Sequence, residues 1–240
     1  MLFENIDKRD LYLLAFFSGL LLILCSVYSL LIIPSTPAIS NHSNLNSTIL
    51  SLELLESVED YNNLLGAYDS PKYQNYSDSF SKSIDIDNFF IFLYGIYFLV
   101  LYEIGFRSNP FNKKISLGFY LIILLCIVLD LLENYKIVNL LNSKTQDEIK
   151  IALNSLRYIS LSKWFFLFLG SGVIGVLFWL SSEKILVKIV GILLFTSFVS
   201  SLPGLFRLNL LEIASYILYF GLLLSWIHIC LKNYYFLFLK

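Results

Sequence analysis

Asp130, Glu133 and Asn134 close a run, residues 115–134, that is otherwise almost pure hydrocarbon. Their i, i+3, i+4 spacing places two carboxylates and an amide on one face of a helix. Such groups can accept and donate protons as general acid or base, pair with a cation, or orient a polar ligand. A cation stands close by in sequence terms, because Lys163-Trp164 opens the next apolar run. Asp87 and Asn88 begin the run before it, and Glu212 lies about one turn into the last, after Arg207. Ionisable groups at membrane depth are costly, so they face other helices and find partners. An isolated buried carboxylate takes up a proton rather than stay charged. Asp130, Glu133, Asn134, Lys163, Asp87 and Glu212 are therefore the candidate ligand-binding residues, with Lys163 and Arg207 available to neutralise the acids. A plainer explanation competes with this one. Residues at the ends of spans reach the headgroup layer, where a charge costs little. Asp130 resists that explanation best, since Leu131-Leu132 follow it.

The elements that must position these residues are set by composition. Of 240 residues, 57% are hydrophobic and 15% charged, and the mean hydropathy is +0.72. A soluble domain carries about 25% charged residues, so this chain cannot clothe a water-facing surface and hydrocarbon is its main solvent. A net charge of −1 argues neither for nucleic acid nor for an anionic lipid surface as a partner, and no nucleic acid is expected. Cys25, Cys126 and Cys230 lie inside apolar runs and read as packed thiols, without a disulfide framework or a metal cluster. His228, near Cys230, has no second histidine at ligand spacing, and His42 is a loop residue. The zincin, P-loop, nucleophile-elbow and dinucleotide patterns are missing, so neither a metal nor a cofactor is expected.

Six segments are long and apolar enough to span a bilayer, which takes about 20 residues: 11–33, 88–106, 115–133, 163–181, 185–202 and 208–230. The expected fold is an all-α polytopic membrane bundle, one membrane domain over residues 1–240. Ser181-Ser182-Glu183-Lys184 suits a tight hairpin between the fourth and fifth segments, and Pro203-Gly204 breaks the chain before the sixth. The fifth, with Lys188, Gly191 and two serines, could instead be re-entrant. The first is too long for the ~7–15-residue apolar region of a signal peptide and reads as an uncleaved signal-anchor. Lys8, Arg9, Arg107, Lys113, Lys114, Lys184, Lys232 and Lys240 favour both termini in the cytoplasm. Lys136, Lys144, Lys150 and Arg157 oppose that orientation.

Residues 34–87 and 134–162 then form two extracytoplasmic loops. In the first, Asn46-Ser47 caps an amphipathic helix lying on the mouth of the bundle. Ile49, Leu52, Leu55 and Leu65 line its apolar side, Glu53, Glu56, Glu59 and Asp60 point elsewhere, and Gly66 ends it. The stretch from Tyr68 to Ser83, rich in Tyr, Ser and Asp, reads as irregular. The second loop opens with a capping box, Thr145-Gln-Asp-Glu148, and a helix that runs through Ile149, Leu153 and Leu156 towards the fourth span. Three glycosylation sequons, at Asn41, Asn46 and Asn75, arise easily in a loop this rich in Asn and Ser. The bias towards Ile, Lys, Asn, Phe and Tyr points to an AT-rich, bacterial genome, and so to an inner or plasma membrane. Glu103 and Arg107, at i and i+4, read as an intrahelical pair. Gly170, Ser171, Gly172 and Gly175 give the fourth span a small-residue face for close contact, within the chain or across a homodimer or membrane-protein partner. Trp226 and Tyr234-Tyr235-Phe236 fit an aromatic belt.

The aspartate before an aromatic-rich span (Asp87 to Tyr94), the D-x-x-E-N triplet of Asp130, Glu133 and Asn134, and Lys163-Trp164 together resemble a loose group of bacterial multi-pass membrane proteins. That resemblance implies a functional polar layer and supplies no chemistry. Three functions fit the residues. The first is a non-enzymatic membrane protein, a transporter-like or sensing component, that binds a small polar ligand, a lipid headgroup or a partner at the outer polar layer. The second is an enzyme acting on a lipid or isoprenoid, with Asp130 or Glu133 as acid or base and Lys163 holding an anionic group. The third is a structural subunit of a membrane complex.

Overall fold

A computed structural model describes residues 6–32, 45–68, 70–108, 113–181 and 184–238. Among them are eight helices and no strand: α1 (Lys8–Ile32), α2 (Thr48–Glu53), α3 (Val58–Leu65), α4 (Pro71–Ser108), α5 (Lys113–Leu141), α6 (Gln146–Ser181), α7 (Ile185–Gly204) and α8 (Leu208–Phe238). Six of these, α1 and α4 to α8, are long and apolar enough to cross a membrane. The chain is an all-α, multi-pass membrane protein. Helix α4 packs on α1, α5 and α6, α7 lies between α6 and α8, and α8 returns to α1.

Two helices are far longer than a span requires. At ~1.5 Å per residue, the 38 residues of α4 reach about 57 Å, against a hydrocarbon core of about 30 Å. The 36-residue α6 is nearly as long. Their surplus, with the C-terminal turns of α5 and the short helices α2 and α3, forms a cap with its own core. Tyr61, Leu64, Leu65, Tyr73, Tyr76, Phe80, Ile137, Leu140 and Leu153 meet there. Tyr61 Oη donates to the Leu140 carbonyl at 3.4 Å and Tyr73 Oη to that of Leu141, satisfying backbone groups left open at the end of α5. Burial pushes the Tyr61 phenol above its ordinary range.

The stretch 71–83 is the start of α4, where an irregular tail was expected. Ser70 Oγ accepts from the Tyr73 N–H at 3.1 Å, and Pro71 takes the first helical position, where its missing N–H costs nothing. Tyr73, Tyr76, Phe80 and Ile84 then recur at helical spacing and bury together. A polar-looking composition hid that period.

The single amphipathic helix expected over 47–66 is two helices. Ser47 caps α2, accepting from the Leu50 N–H, and Ser57 caps α3, accepting from the Asp60 N–H at 3.1 Å. Gly66, at φ 93°, ends α3 in a left-handed conformation that glycine adopts freely. The break lets α2 bury two sides: Leu50 and Leu54 join the bundle core, Leu52 and Leu55 the cap core. It also turns Glu53 inward. The capping box is present, with Thr145 Oγ1 accepting from Glu148 N–H and the Glu148 carboxylate from Thr145 N–H.

Ser171, Gly172 and Gly175 of α6 lie against α7, while Gly170 faces Ile123 of α5 and Phe98 of α4. A side chain at Gly172 would meet Phe198, and one at Gly175 would meet the Phe195 nitrogen and the Gly191 carbonyl at 2.6 and 2.7 Å. Trp226 stacks on Phe16 and donates to its carbonyl at 3.0 Å, which ties α8 to α1. Arg107 pairs with Glu103 at 3.0 Å within α4. The sequon at Asn41 and the loop residue His42 lie outside the described residues.

Candidate functional site

Lys163 is the hub of a buried cluster at the cap end of the bundle. Trp164 beside it and Phe168 one turn on fix this face of α6 against the bundle core. The Lys163 ammonium contacts Glu133 Oε2, lies 3.4 Å from Asp130 Oδ1 and 3.2 Å from Glu53 Oε1, and sits 5.0 Å from the centre of the Trp164 ring. All four ionic residues are buried, at 5% exposure for Lys163, 1% for Glu133, 8% for Asp130 and 5% for Glu53. At that depth they interact with little screening by water.

Hydrogen bonds extend the cluster across α2, α4, α5 and α6. Tyr94 Oη donates to Asp130 Oδ2 at 2.9 Å and lies 3.5 Å from the Cys126 sulfur. Trp164 Nε1 donates to Glu53 Oε2 at 2.9 Å. Asn134, next to Glu133, donates to Asp87 Oδ2 at 2.8 Å and to Asn88 Oδ1 at 3.1 Å. Within the cluster, Glu133 Oε1 is buried and has no hydrogen-bond partner among the described residues. Burial pushes the Glu53 carboxyl above the usual carboxylate range, helped by Asp130 and opposed by the Lys163 ammonium and the Trp164 N–H.

Five of the six residues singled out from sequence therefore meet: Asp87, Asp130, Glu133, Asn134 and Lys163. Glu212 is also buried but is engaged differently. Its Oε1 accepts from the backbone N–H groups of Asn46 and Ser47 at 2.9 and 2.7 Å, anchoring the start of α2, and from Tyr216 Oη at 3.1 Å. Arg207, expected to neutralise part of this layer, is exposed and forms no ion pair with a carboxylate among the described residues. A backbone N-terminus, rather than a cation, takes up the Glu212 charge.

Sequence reasoning missed Glu53, Trp164 as a donor, and Tyr94. Signals for two of them existed. Glu53 lies between Leu52 and Leu54-Leu55, as Asp130 precedes Leu131-Leu132, and an acid inside a leucine run argues for burial. Tyr94 lies seven residues beyond Asp87, two turns along the same face. Among the described residues no group of three His, Cys, Asp or Glu side chains is disposed to hold a metal ion. Compared with family models, curated proteins and solved structures, the chain matches none.

Proposed function

We propose that this is a bacterial inner-membrane protein, with both termini cytoplasmic and the cap outside, that binds a small polar ligand bearing positive charge at the Lys163 cluster. It acts in sensing or transport rather than catalysis. The observation that carries this is charge arithmetic in a buried volume. Glu53, Asp130 and Glu133 gather around one ammonium, Asp87 joins them through Asn134, and Glu133 Oε1 has no hydrogen-bond partner among the described residues. Carboxylates taken from water and left unpaired are strongly destabilising, so the surplus calls for protons or a cationic ligand. A purely structural ion pair would need one acid, not three.

An acid or base role on a lipid or isoprenoid has less support. Of the four oxygens on Asp130 and Glu133, three are engaged by Lys163 or Tyr94 among the described residues and would have to leave them to meet a substrate. A subunit or dimer contact through Gly172 and Gly175 would have to displace α7 from both residues. Melting of the detergent-solubilised protein tests the proposal. Methylammonium should raise the melting temperature relative to bulky N-methylglucamine at equal ionic strength, and Asp130→Asn should erase the difference. Equal melting in both salts would refute it.

A further inference from the structure

Glu53 is the one carboxylate of the cluster that does not come from a membrane-crossing helix. It ends the six-residue α2, whose start is held by Glu212 of α8 and whose end reaches Lys163 and Trp164 of α6. Its two oxygens take two donors on adjacent residues, the Lys163 ammonium at 3.2 Å and the Trp164 indole N–H at 2.9 Å. Those donors form a carboxylate receptor that the protein fills with its own side chain. Beside it, Glu133 Oε1 is buried with no hydrogen-bond partner among the described residues.

The three classes of small charged ligand differ in what they gain here. A simple anion that displaced Glu53 would replace one carboxylate by another and leave the surplus negative charge as it was. A simple cation would meet Glu133 Oε1 but leave Glu53 seated on its donors. A molecule with both charges satisfies the receptor and the orphaned oxygen together. It also lowers the negative charge of the cluster by one when it replaces Glu53.

We infer that the ligand is a small zwitterion, an amine joined to a carboxylate, which takes the Lys163–Trp164 donors from Glu53 and offers its ammonium to Glu133 and Asp130. Glu53 is thus a built-in competitor carried by the cap, and its docked position and ligand occupancy exclude each other. The inference rests on the cation-binding reading above and adds the second charge.

The test uses the full chain in detergent, with melting temperature followed as glycine, β-alanine or γ-aminobutyrate is titrated at constant ionic strength. Methylammonium and acetate serve as single-charge controls on wild type, Glu53→Ala and Glu53→Gln. At least one zwitterion should act at about tenfold lower concentration than methylammonium, since a ligand that binds only the native state stabilises it in proportion to its affinity. Glu53→Ala should tighten that zwitterion further by about tenfold and admit acetate as well, the built-in competitor being gone. Glu53→Gln, which keeps the shape, should lie between and decides the matter where the alanine variant does not fold. Methylammonium matching every zwitterion, with no tightening in either variant, would overturn the inference and leave the cation-binding reading standing. Tighter methylammonium binding in Glu53→Gln without a gain for the zwitterions would also overturn it. No response to any probe would bring down both.

Discussion

At the residue scale, Lys163 decides how much negative charge the cluster can hold. Removing one member of a buried pair costs about 3–5 kcal/mol, because the partner is left charged and dry. Lys163→Met should therefore lower the melting temperature sharply, and adding Asp130→Asn with Glu133→Gln should restore most of the loss. A variant pair that melts no differently from Lys163→Met alone would show that the ammonium serves some other purpose. Glu53 gives a pH dependence of known sign. Its carboxyl is raised on folding, chiefly by burial. A group raised on folding contributes stability that is fully present below its unfolded value, about 4.3 for glutamate, and is lost as pH rises through the folded value. The stability of wild type relative to Glu53→Gln should accordingly fall as pH rises from about 4.3. A difference that grew with pH would mean that Lys163 outweighs burial. Five site residues were legible in the sequence because acids and a lysine inside hydrocarbon are conspicuous one at a time. Glu53 was legible in its leucine run but was passed over, because a continuous helical wheel grouped it with Glu56, Glu59 and Asp60. Only the Ser57 cap, which interrupts the wheel, turns it inward.

At the element scale, close approach of α6 and α7 rests on backbone contact at Gly175 and Gly191. A methyl group at Gly175 would meet the Phe195 nitrogen at 2.6 Å and the Gly191 carbonyl at 2.7 Å, and neither backbone atom can swing away as a side chain tip would. Gly118 on α5 has nothing within 4 Å. Gly175→Ala should cost about 1–3 kcal/mol through forced separation of the helices, whereas Gly118→Ala should be neutral or mildly stabilising through helix propensity. Equal melting temperatures for the two variants would place the α6–α7 contact elsewhere. The six spans could be read from hydropathy because length and apolarity alone define them. The extension of α4 back to Pro71 could not, since Tyr73, Tyr76 and Phe80 carry their helical period inside a composition that looks like loop. The division of the cap into α2 and α3 is marked locally by the Ser57 cap, but which sides of α2 are buried depends on tertiary contact with both cores.

For the whole molecule, the two ends of the bundle are unlike: one carries the cap over the acid–lysine cluster, the other the end of α4 at Ser108. With the cap outside, Asn75→Cys, on the exposed side of α4, should react in intact cells with a membrane-impermeant maleimide, and Ser108→Cys should react only after permeabilisation. The opposite pattern would invert the orientation. On the proposed reading, the cluster holds more carboxylate than folding needs, because the surplus serves a ligand. Sites of this kind trade stability for function, so neutralising one surplus acid should relieve the fold rather than harm it. The melting temperature of Asp130→Asn in detergent measures this directly. It should equal or exceed that of wild type, although the substitution alters a buried side chain bonded to Tyr94 and close to Lys163. A fall as large as that of Lys163→Met would contradict it, and Asp130 would then be one half of an ordinary structural ion pair.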